Sequence, residues 1–201
     1  MLSLFDSQKI KTVSWTIELL SNDEQPNPQM ILTLASYKAL HNYDWCQSLV
    51  VTNQIQEVFT RQIEEPIQEE KLKLNLPTLA EITNKVSSNV RQQYEESPYP
   101  RWVNLGLNLE PAPISKVVDD IKLKLHDDKI TKTKNPDILI AGCGTGQHSI
   151  TTAARFKSSK VLAIDLSLSS LAYAKRKTEE LAIKNIEYMQ ADILDLSLIH
   201  I

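Results

Sequence analysis

The C-terminal half of the chain is predicted to adopt an α/β fold with an open, doubly wound parallel sheet, and an all-helical region is expected to precede it. Two observations support this prediction. Apolar strand-like runs alternate with helix-like segments after residue 137, and such alternation is typical of parallel sheets with right-handed crossovers. Three of the four glycines stand at alternate positions directly after the first of these runs, where the backbone needs conformational freedom.

Composition and charge narrow the classes of function. The chain of 201 residues is 42% hydrophobic and 23% charged, which is typical of a globular protein, and its net charge of −3 favours neither nucleic acid nor an anionic membrane as a partner. Cys46 and Cys143 are distant, and no Cys or His pair has metal-ligand spacing. We therefore expect no metal, no secretory signal, no membrane span and a cytoplasmic location.

Residues 1–83 are expected to form the helical region. Apolar residues recur at helical spacing in 8–20, in a segment that begins at Pro28, and in a segment that ends near Ile63. Such stripes indicate packing in a core rather than a ligand site.

Residues 84–113 are expected to contain one helix and an extended aromatic segment. Asn84 is a suitable helix cap, and Val86, Val90 and Tyr94 repeat every four residues along the helix. The sequence Tyr-Glu-Glu-Ser-Pro-Tyr-Pro-Arg-Trp follows, and its two prolines fix an extended path. Two interpretations fit this segment: a lid or substrate wall, or a linker whose aromatic side chains pack on the core.

Residues 114–201 are expected to hold the α/β domain. In chain order, the predicted elements are a helix over 114–125, a strand over 137–142, a helix over 146–157, a strand over 161–164, a helix capped by Ser167 or Ser169, and a strand over 186–189. The basic run Lys175-Arg176-Lys177 in the last helix is expected to be a solvated face.

The glycine turn is the first candidate functional site. A strand, a glycine-rich turn and a helix N-terminus are typical of a site for a nucleotide-like ligand. Dinucleotide enzymes need G-x-G-x-x-G, but this chain has Gln147 where the third glycine would stand. An NAD-dependent oxidoreductase is therefore disfavoured. The observed pattern, with Gly142, Gly144 and Gly146, suits a ligand without a pyrophosphate whose amino-acid part lies against the turn.

Acidic residues follow the second and third predicted strands. Asp165 stands 23 positions after Gly142, close to the separation expected of an acid that accepts hydrogen bonds from both hydroxyls of a ribose. Asp192 follows the third strand, where a carboxylate could accept from an adenine amino group. Ligands of open α/β sheets bind at the carboxyl edge of the strands. The glycine turn, Asp165 and Asp192 follow three successive strands at that edge, and together they predict one nucleoside-containing ligand.

These segments resemble the first three signature regions of class I S-adenosylmethionine-dependent methyltransferases, which have a Rossmann-like sheet. The resemblance is carried by residues 138–147, by Asp165 and by residues 190–192. Together with residues 92–102 and 164–175, they are similar to a bacterial subgroup often fused to tetratricopeptide repeats. The resemblance implies a methyltransferase with S-adenosylmethionine as its cofactor and leaves the methyl acceptor and any catalytic base unidentified.

The resemblance also implies roles for individual residues. The glycines would hold the methionine part of the cofactor, Asp165 the ribose and Asp192 the adenine, with Leu166 beside the adenine, and the aromatic segment would lie near the cofactor or substrate. The predicted cofactor-binding residues are Tyr94, Tyr99, Arg101, Ala141, Gly142, Cys143, Gly144, Gly146, Gln147, Asp165, Leu166, Ala191 and Asp192.

The resemblance implies a seven-stranded sheet, whereas only the first three of those strands are predicted in this chain. We therefore expect a truncated or split, catalytically incomplete methyltransferase. The alternatives are a remnant that binds the cofactor weakly without turnover, and a non-catalytic fragment or interaction module. That module would need a partner chain, or would form an oligomer, through an unpaired apolar edge of the sheet.

Overall fold

The computed structural model describes residues 4–107 and 110–196, with side chains from Lys11 onward. The chain divides into two compact units, residues 1–68 and residues 69–201. Each unit has its own buried apolar core.

The first unit is helical. Its elements are α1 (Leu4–Ser21), α2 (Pro28–Tyr37), 3₁₀ turns at Leu40–Asn42 and Cys46–Ser48, α3 (Gln56–Phe59), a π-helical turn (Thr60–Glu64) and the start of α4 (Glu65–Lys73). Helix α2 begins at Pro28, as predicted, because the side chain of Asn27 accepts a hydrogen bond from the Met30 amide and proline fits the first turn. Ile55 and Ile63 are buried in the core of this unit, so the packing role predicted for the third stripe is confirmed. Ile17 and Leu32 of the first two stripes are exposed, and α2 buries Ile31 and Leu34 instead.

The second unit contains the predicted strands. Its remaining elements are α5 (Lys85–Glu96), α6 (Ile114–Asp120), α7 (Lys129–Lys132), β1 (Asp137–Ala141), α8 (Gln147–Arg155), β2 (Lys160–Asp165), α9 (Leu168–Glu180), β3 (Ile186–Gln190) and a 3₁₀ turn (Ile193–Asp195). Helix α6 ends earlier than predicted because Lys122 has a φ of 53° and the chain turns back there, with the Leu123 amide donating to the Val118 carbonyl.

The three strands form a parallel sheet in the order β1-β2-β3, which confirms the predicted α/β class. The face that carries Val161, Ala163 and Tyr188 packs against α8 and α9. Both helices lie on this face because successive right-handed crossovers in one direction place their helices on the same side. The opposite face, with Leu139, Leu162 and Met189, is half-buried and borders an open groove.

The two edges of this sheet differ. At the β3 edge, Thr78 forms a parallel bridge with Gln190, whose amide donates to the Pro77 carbonyl and whose carbonyl accepts from the Leu79 amide. Within residues 4–107 and 110–196, β1 has β2 as its only strand partner. The unpaired edge expected from the sequence is therefore the β1 edge.

Helix α5 presents its polar residues to the protein. Ser87 is buried and Arg91 and Glu95 are half-buried, whereas Val86 and Tyr94 are exposed. The four-residue apolar repeat that marks this helix in the sequence thus follows its exposed side.

Candidate functional site

The glycine turn joins β1 to α8 and lies over the end of β2. Gly142, Gly144 and Gly146 all have positive φ, of 72°, 52° and 87°, which is why glycine is needed at alternate positions. The amides of Gly142 and Cys143 both donate to the carbonyl of Ile164, each at 2.9 Å. The turn is therefore fixed by the neighbouring strand.

The three glycines have different surroundings. A Cβ atom at Gly142 or Gly144 would meet no other heavy atom within 4 Å, whereas a Cβ at Gly146 would lie 2.5 Å from the Cβ of Ala174 in α9. Gly142 and Gly144 consequently leave the backbone open to an approaching ligand, and Gly146 permits close packing of α9 against the turn.

Asp165 connects the glycine turn to the end of β2. Its Oδ2 accepts from the Gly144 amide at 2.8 Å, and its Oδ1 accepts from the Ser167 amide at 3.0 Å. A carboxylate has about four acceptor positions, so two hydroxyl donors could bind in addition. The structure thus brings together the turn and the first acid that the sequence singles out.

Asp192 is 4% exposed and lies directly after β3. Its Oδ1 accepts from the Leu194 amide at 2.9 Å, but its Oδ2 has no hydrogen-bond partner within the described part of the chain. Leaving a buried polar atom unpaired costs about 1–3 kcal/mol, and more for a charged group. This orphaned oxygen indicates a missing donor, such as an amino group of a ligand.

The other predicted residues of the sheet edge lie around these acids. Ala141 and Gln147 are exposed at the two ends of the turn, Leu166 is half-buried, and Ala191 is buried, with its amide donating to the Asp165 carbonyl at 3.0 Å. The ends of all three strands therefore meet at one edge, as the sequence predicts.

Two reactive groups near the turn are unsuited to acid–base chemistry. Burial, and next the negative charge of Asp165, raise the pKa of the Cys143 thiol far above its ordinary value. Burial raises the pKa of Tyr188 to about 12, and its hydroxyl lies 2.7 Å from that of Thr178. Both groups stay protonated near neutral pH, and both pack in the core between the sheet and its helices.

The aromatic segment contains both buried and exposed residues. Trp102 is buried, and its indole Nε1 donates to the Thr145 carbonyl at 3.0 Å. Thr145 in turn donates from its hydroxyl to the Pro100 carbonyl at 2.7 Å. Tyr94 and Tyr99 are exposed. The core-packing interpretation therefore describes Trp102, while the cofactor-binding role of the two tyrosines stays a prediction.

The side chain of Arg101 binds a carboxylate that the sequence does not identify as part of the site. Both terminal nitrogens of Arg101 donate to Glu69 at 3.1 Å, and the same carboxylate accepts from Nε of Arg176 at 2.9 Å. Both guanidinium groups lie over the ring of Tyr173, at 4.7 and 5.0 Å. Arg176 and Lys177 are buried, so the expectation of a solvated basic face is wrong for these two residues.

Replacing Glu69 with glutamine is expected to lower the free energy of unfolding by about 2 kcal/mol, because one acceptor oxygen becomes a donor that faces two guanidinium groups. Urea denaturation measures this change. Glu70→Gln is the matched control: its carboxylate is exposed and pairs with Lys73, so a loss under about 0.5 kcal/mol is expected. Equal losses in the two variants would contradict a structural role for the Glu69 cluster.

The described residues form neither a candidate metal site nor a candidate membrane span. Residues 4–107 and 110–196 contain no group of three or more His, Cys, Asp and Glu side chains arranged to hold a metal ion. In the same ranges, no helix has the length and apolar character that a membrane crossing requires.

Comparison with known proteins gives one family match. Residues 138–200 match the family model described as "Methyltransferase domain". A tRNA (guanine-N(7)-)-methyltransferase of Helicobacter pylori strain J99 is 32% identical over 89 residues, which are 44% of this chain and 22% of that protein. The chain thus spans about a fifth of the length of this curated relative.

Solved structures of methyltransferases are also similar. Geranyl diphosphate C-methyltransferase from Streptomyces coelicolor A3(2) is 13% identical, with a TM-score of 0.39 over 58% of this chain and 52% of that chain. Magnesium protoporphyrin IX methyltransferase from Synechocystis PCC 6803 is 22% identical, with a TM-score of 0.35 over 55% and 53%. The family match thus indicates that residues 138–200 are similar to a methyltransferase domain.

Proposed function

We propose that this chain is an S-adenosylmethionine-dependent methyltransferase unit that binds its cofactor along the carboxyl edge of the sheet. The orphaned Oδ2 of the buried Asp192 carries this proposal, because a buried carboxylate oxygen without a donor fits the amino group of an adenine. Asp165 would accept from the ribose hydroxyls. Gly142 and Gly144, which leave the turn open, would face the methionine part.

The residues at this edge suit a reaction that needs positioning more than acid–base chemistry. S-adenosylmethionine supplies an activated methyl group when bound. The chain's part is to hold the donor rigidly, since orientation accounts for much of the catalysis of such a transfer. The glycine turn is fixed through Ile164, and Asp165 is fixed through Gly144 and Ser167.

Two finer statements stay predictions from the sequence. They are the bacterial subgroup often fused to tetratricopeptide repeats and the cytoplasmic location. The roles of Tyr94, Tyr99 and Arg101 in cofactor binding also belong to the proposal; the side chain of Arg101 is bound to Glu69 in this structure.

Calorimetry with paired ligands tests the adenine contact. S-adenosylhomocysteine has a 6-amino group, and S-inosylhomocysteine has an oxygen in its place. The unmodified protein is expected to bind S-adenosylhomocysteine about tenfold more tightly than S-inosylhomocysteine, a difference in affinity equivalent to one hydrogen bond. In Asp192→Asn, the amide oxygen can still accept from Leu194 while the NH₂ replaces Oδ2 as a donor, so the preference is expected to invert.

Asp195→Asn is the matched control for this experiment. Asp195 is an exposed acid in the 3₁₀ turn that Asp192 caps, so its variant is expected to keep the preference of the unmodified protein. An absence of binding to the unmodified, folded protein would contradict the proposed cofactor site. An unchanged preference in Asp192→Asn would contradict the assignment of Asp192 to the adenine.

A second candidate function is a non-catalytic interaction module that recruits a partner chain or forms an oligomer. The β1 edge favours it, since β1 has no second strand partner in the described ranges. Light scattering coupled to size-exclusion chromatography separates the candidates. A defined assembly that binds no S-adenosylmethionine would support the module, whereas a monomer that binds the cofactor would contradict it.

A further inference from the structure

The N-terminus of α9 is capped from two sides. Ser167 is the local cap, and its hydroxyl accepts from the Ser170 amide at 3.0 Å. Glu95, which is 73 residues before Leu168, accepts from the Leu168 amide at 2.5 Å, and its second oxygen accepts from the amide and the hydroxyl of Ser169 at 3.2 and 2.6 Å. A side chain of α5 thus binds the first free amides of α9.

The charge of Glu95 suits this position. The first turn of a helix carries a partial positive charge, which favours a carboxylate. Lys73 lies 3.4 Å from the carboxylate, and both side chains are about three-quarters buried. A shorter side chain at position 95 would therefore leave the Leu168 and Ser169 amides without this acceptor, and a neutral side chain of the same length would lose the favourable charge and one of the two acceptor oxygens.

A short series of contacts connects Glu95 to the Asp165 carboxylate in the candidate site. Leu168 follows Ser167, whose amide donates to Oδ1 of Asp165, and Oδ2 of Asp165 accepts from the Gly144 amide. Glu95 therefore holds the far end of the short loop between β2 and α9. That loop follows Asp165, the last residue of β2, and begins with Leu166; these are the two residues proposed for the ribose and the adenine.

The segment that begins at Glu95 is also attached to the glycine turn. Pro100 and Trp102 bind the hydroxyl and the carbonyl of Thr145, which stands between the second and third glycines of the turn. Residues 95–102 thus span from the N-terminus of α9 to the glycine turn, so one continuous segment contacts the two parts of the site proposed to hold opposite ends of the cofactor.

We propose that Glu95 is a positioning residue, which acts through the N-terminus of α9 to place the Asp165 carboxylate for the ribose. This inference rests on the proposed function. Glu95 itself contacts no part of the cofactor in this role. Its effect is the orientation of Asp165, so a loss of Glu95 should reduce the recognition of the ribose hydroxyls more than it reduces binding of the rest of the ligand.

The experiment compares S-adenosylhomocysteine with its 2′-deoxy analogue in the full chain. The unmodified protein is expected to bind the hydroxylated ligand about tenfold more tightly. Glu95→Ala is expected to reduce this ratio below about threefold although Asp165 is intact. Glu95→Gln keeps an acceptor for the Leu168 amide and is expected to restore part of the ratio.

Glu96→Ala is the matched control, because Glu96 is the adjacent exposed acid and its described side-chain contact is Gln92. It is expected to keep the full ratio. If Glu95→Ala lost affinity for both ligands equally, the ratio of the two affinities would match that of the unmodified protein. That result would show a merely structural role for Glu95 and overturn the proposal.

Amide hydrogen exchange separates this inference from the proposed function, since it needs no ligand. Glu95→Ala is expected to speed exchange at Leu168, Ser169 and Gly144, while Glu96→Ala is expected to leave all three rates unchanged. An unmodified protein that binds neither ligand would contradict the proposed function. An unchanged rate at Gly144 in Glu95→Ala would overturn the coupling between Glu95 and the site.

Discussion

Replacing Asp165 with alanine is expected to lower the affinity for S-adenosylmethionine by at least about 100-fold. Hydrogen bonds from two ribose hydroxyls to a carboxylate contribute about 1.5 kcal/mol or more each, and a total near 3 kcal/mol corresponds to this factor. The same substitution removes the acceptor for the Gly144 amide, so the glycine turn also loses a fixed contact. Isothermal titration calorimetry measures the change in the dissociation constant.

Asp137→Ala is the matched control for Asp165→Ala. Asp137 is an exposed acid at the opposite end of the sheet, where β1 begins, and its loss is expected to change the affinity less than twofold. A variant without Asp165 that bound S-adenosylmethionine as tightly as the unmodified protein would rule out the proposed ribose contact.

Replacing Gly146 with alanine is expected to lower the free energy of unfolding by about 4 kcal/mol. Part of this loss is strain, because alanine is unfavourable at a φ of 87°. The larger part is overpacking, since the new methyl group would lie 2.5 Å from the Cβ and 3.1 Å from the Cα of Ala174. Urea denaturation at constant m-value measures the change.

Two other glycines serve as controls for Gly146→Ala. Gly142 also has a positive φ but open surroundings, so Gly142→Ala is expected to cost only the strain, about 1–2 kcal/mol. Gly106 has neither a positive φ nor a neighbour within 4 Å, so Gly106→Ala is expected to leave stability within about 0.5 kcal/mol. Equal losses at Gly146 and Gly142 would mean that contact with α9 contributes nothing.

The parts of the site that the sequence predicts are those determined by local structure. Gly142, Gly144 and Gly146 identify a turn that needs positive φ, and the apolar runs before them and before Asp165 identify strands. Because parallel strands place their carboxyl ends at one edge, the positions of the turn, Asp165 and Asp192 follow from the order of elements alone. The structure confirms that shared edge.

The parts that the sequence does not predict depend on contacts between distant residues. Glu69 pairs with Arg176 across 107 positions, and Glu95 reaches Leu168 across 73. No local pattern distinguishes these acids from their exposed neighbours. Periodicity also misleads where polar contacts decide the packing: Arg176 is buried by its ion pair, while Val86, which belongs to the apolar repeat of α5, is exposed.

The attachment of the glycine turn to β2 makes ligand binding a sensitive measure of strand register. The Ile164 carbonyl binds two amides of the turn, the Asp165 side chain binds a third, and the Asp165 carbonyl binds the Ala191 amide beyond β3. A slip of β2 by one residue would break all of these bonds together and turn the carboxylate to the other face. Cofactor binding is thus expected to appear only in the last cooperative step of folding, when all three strands are aligned.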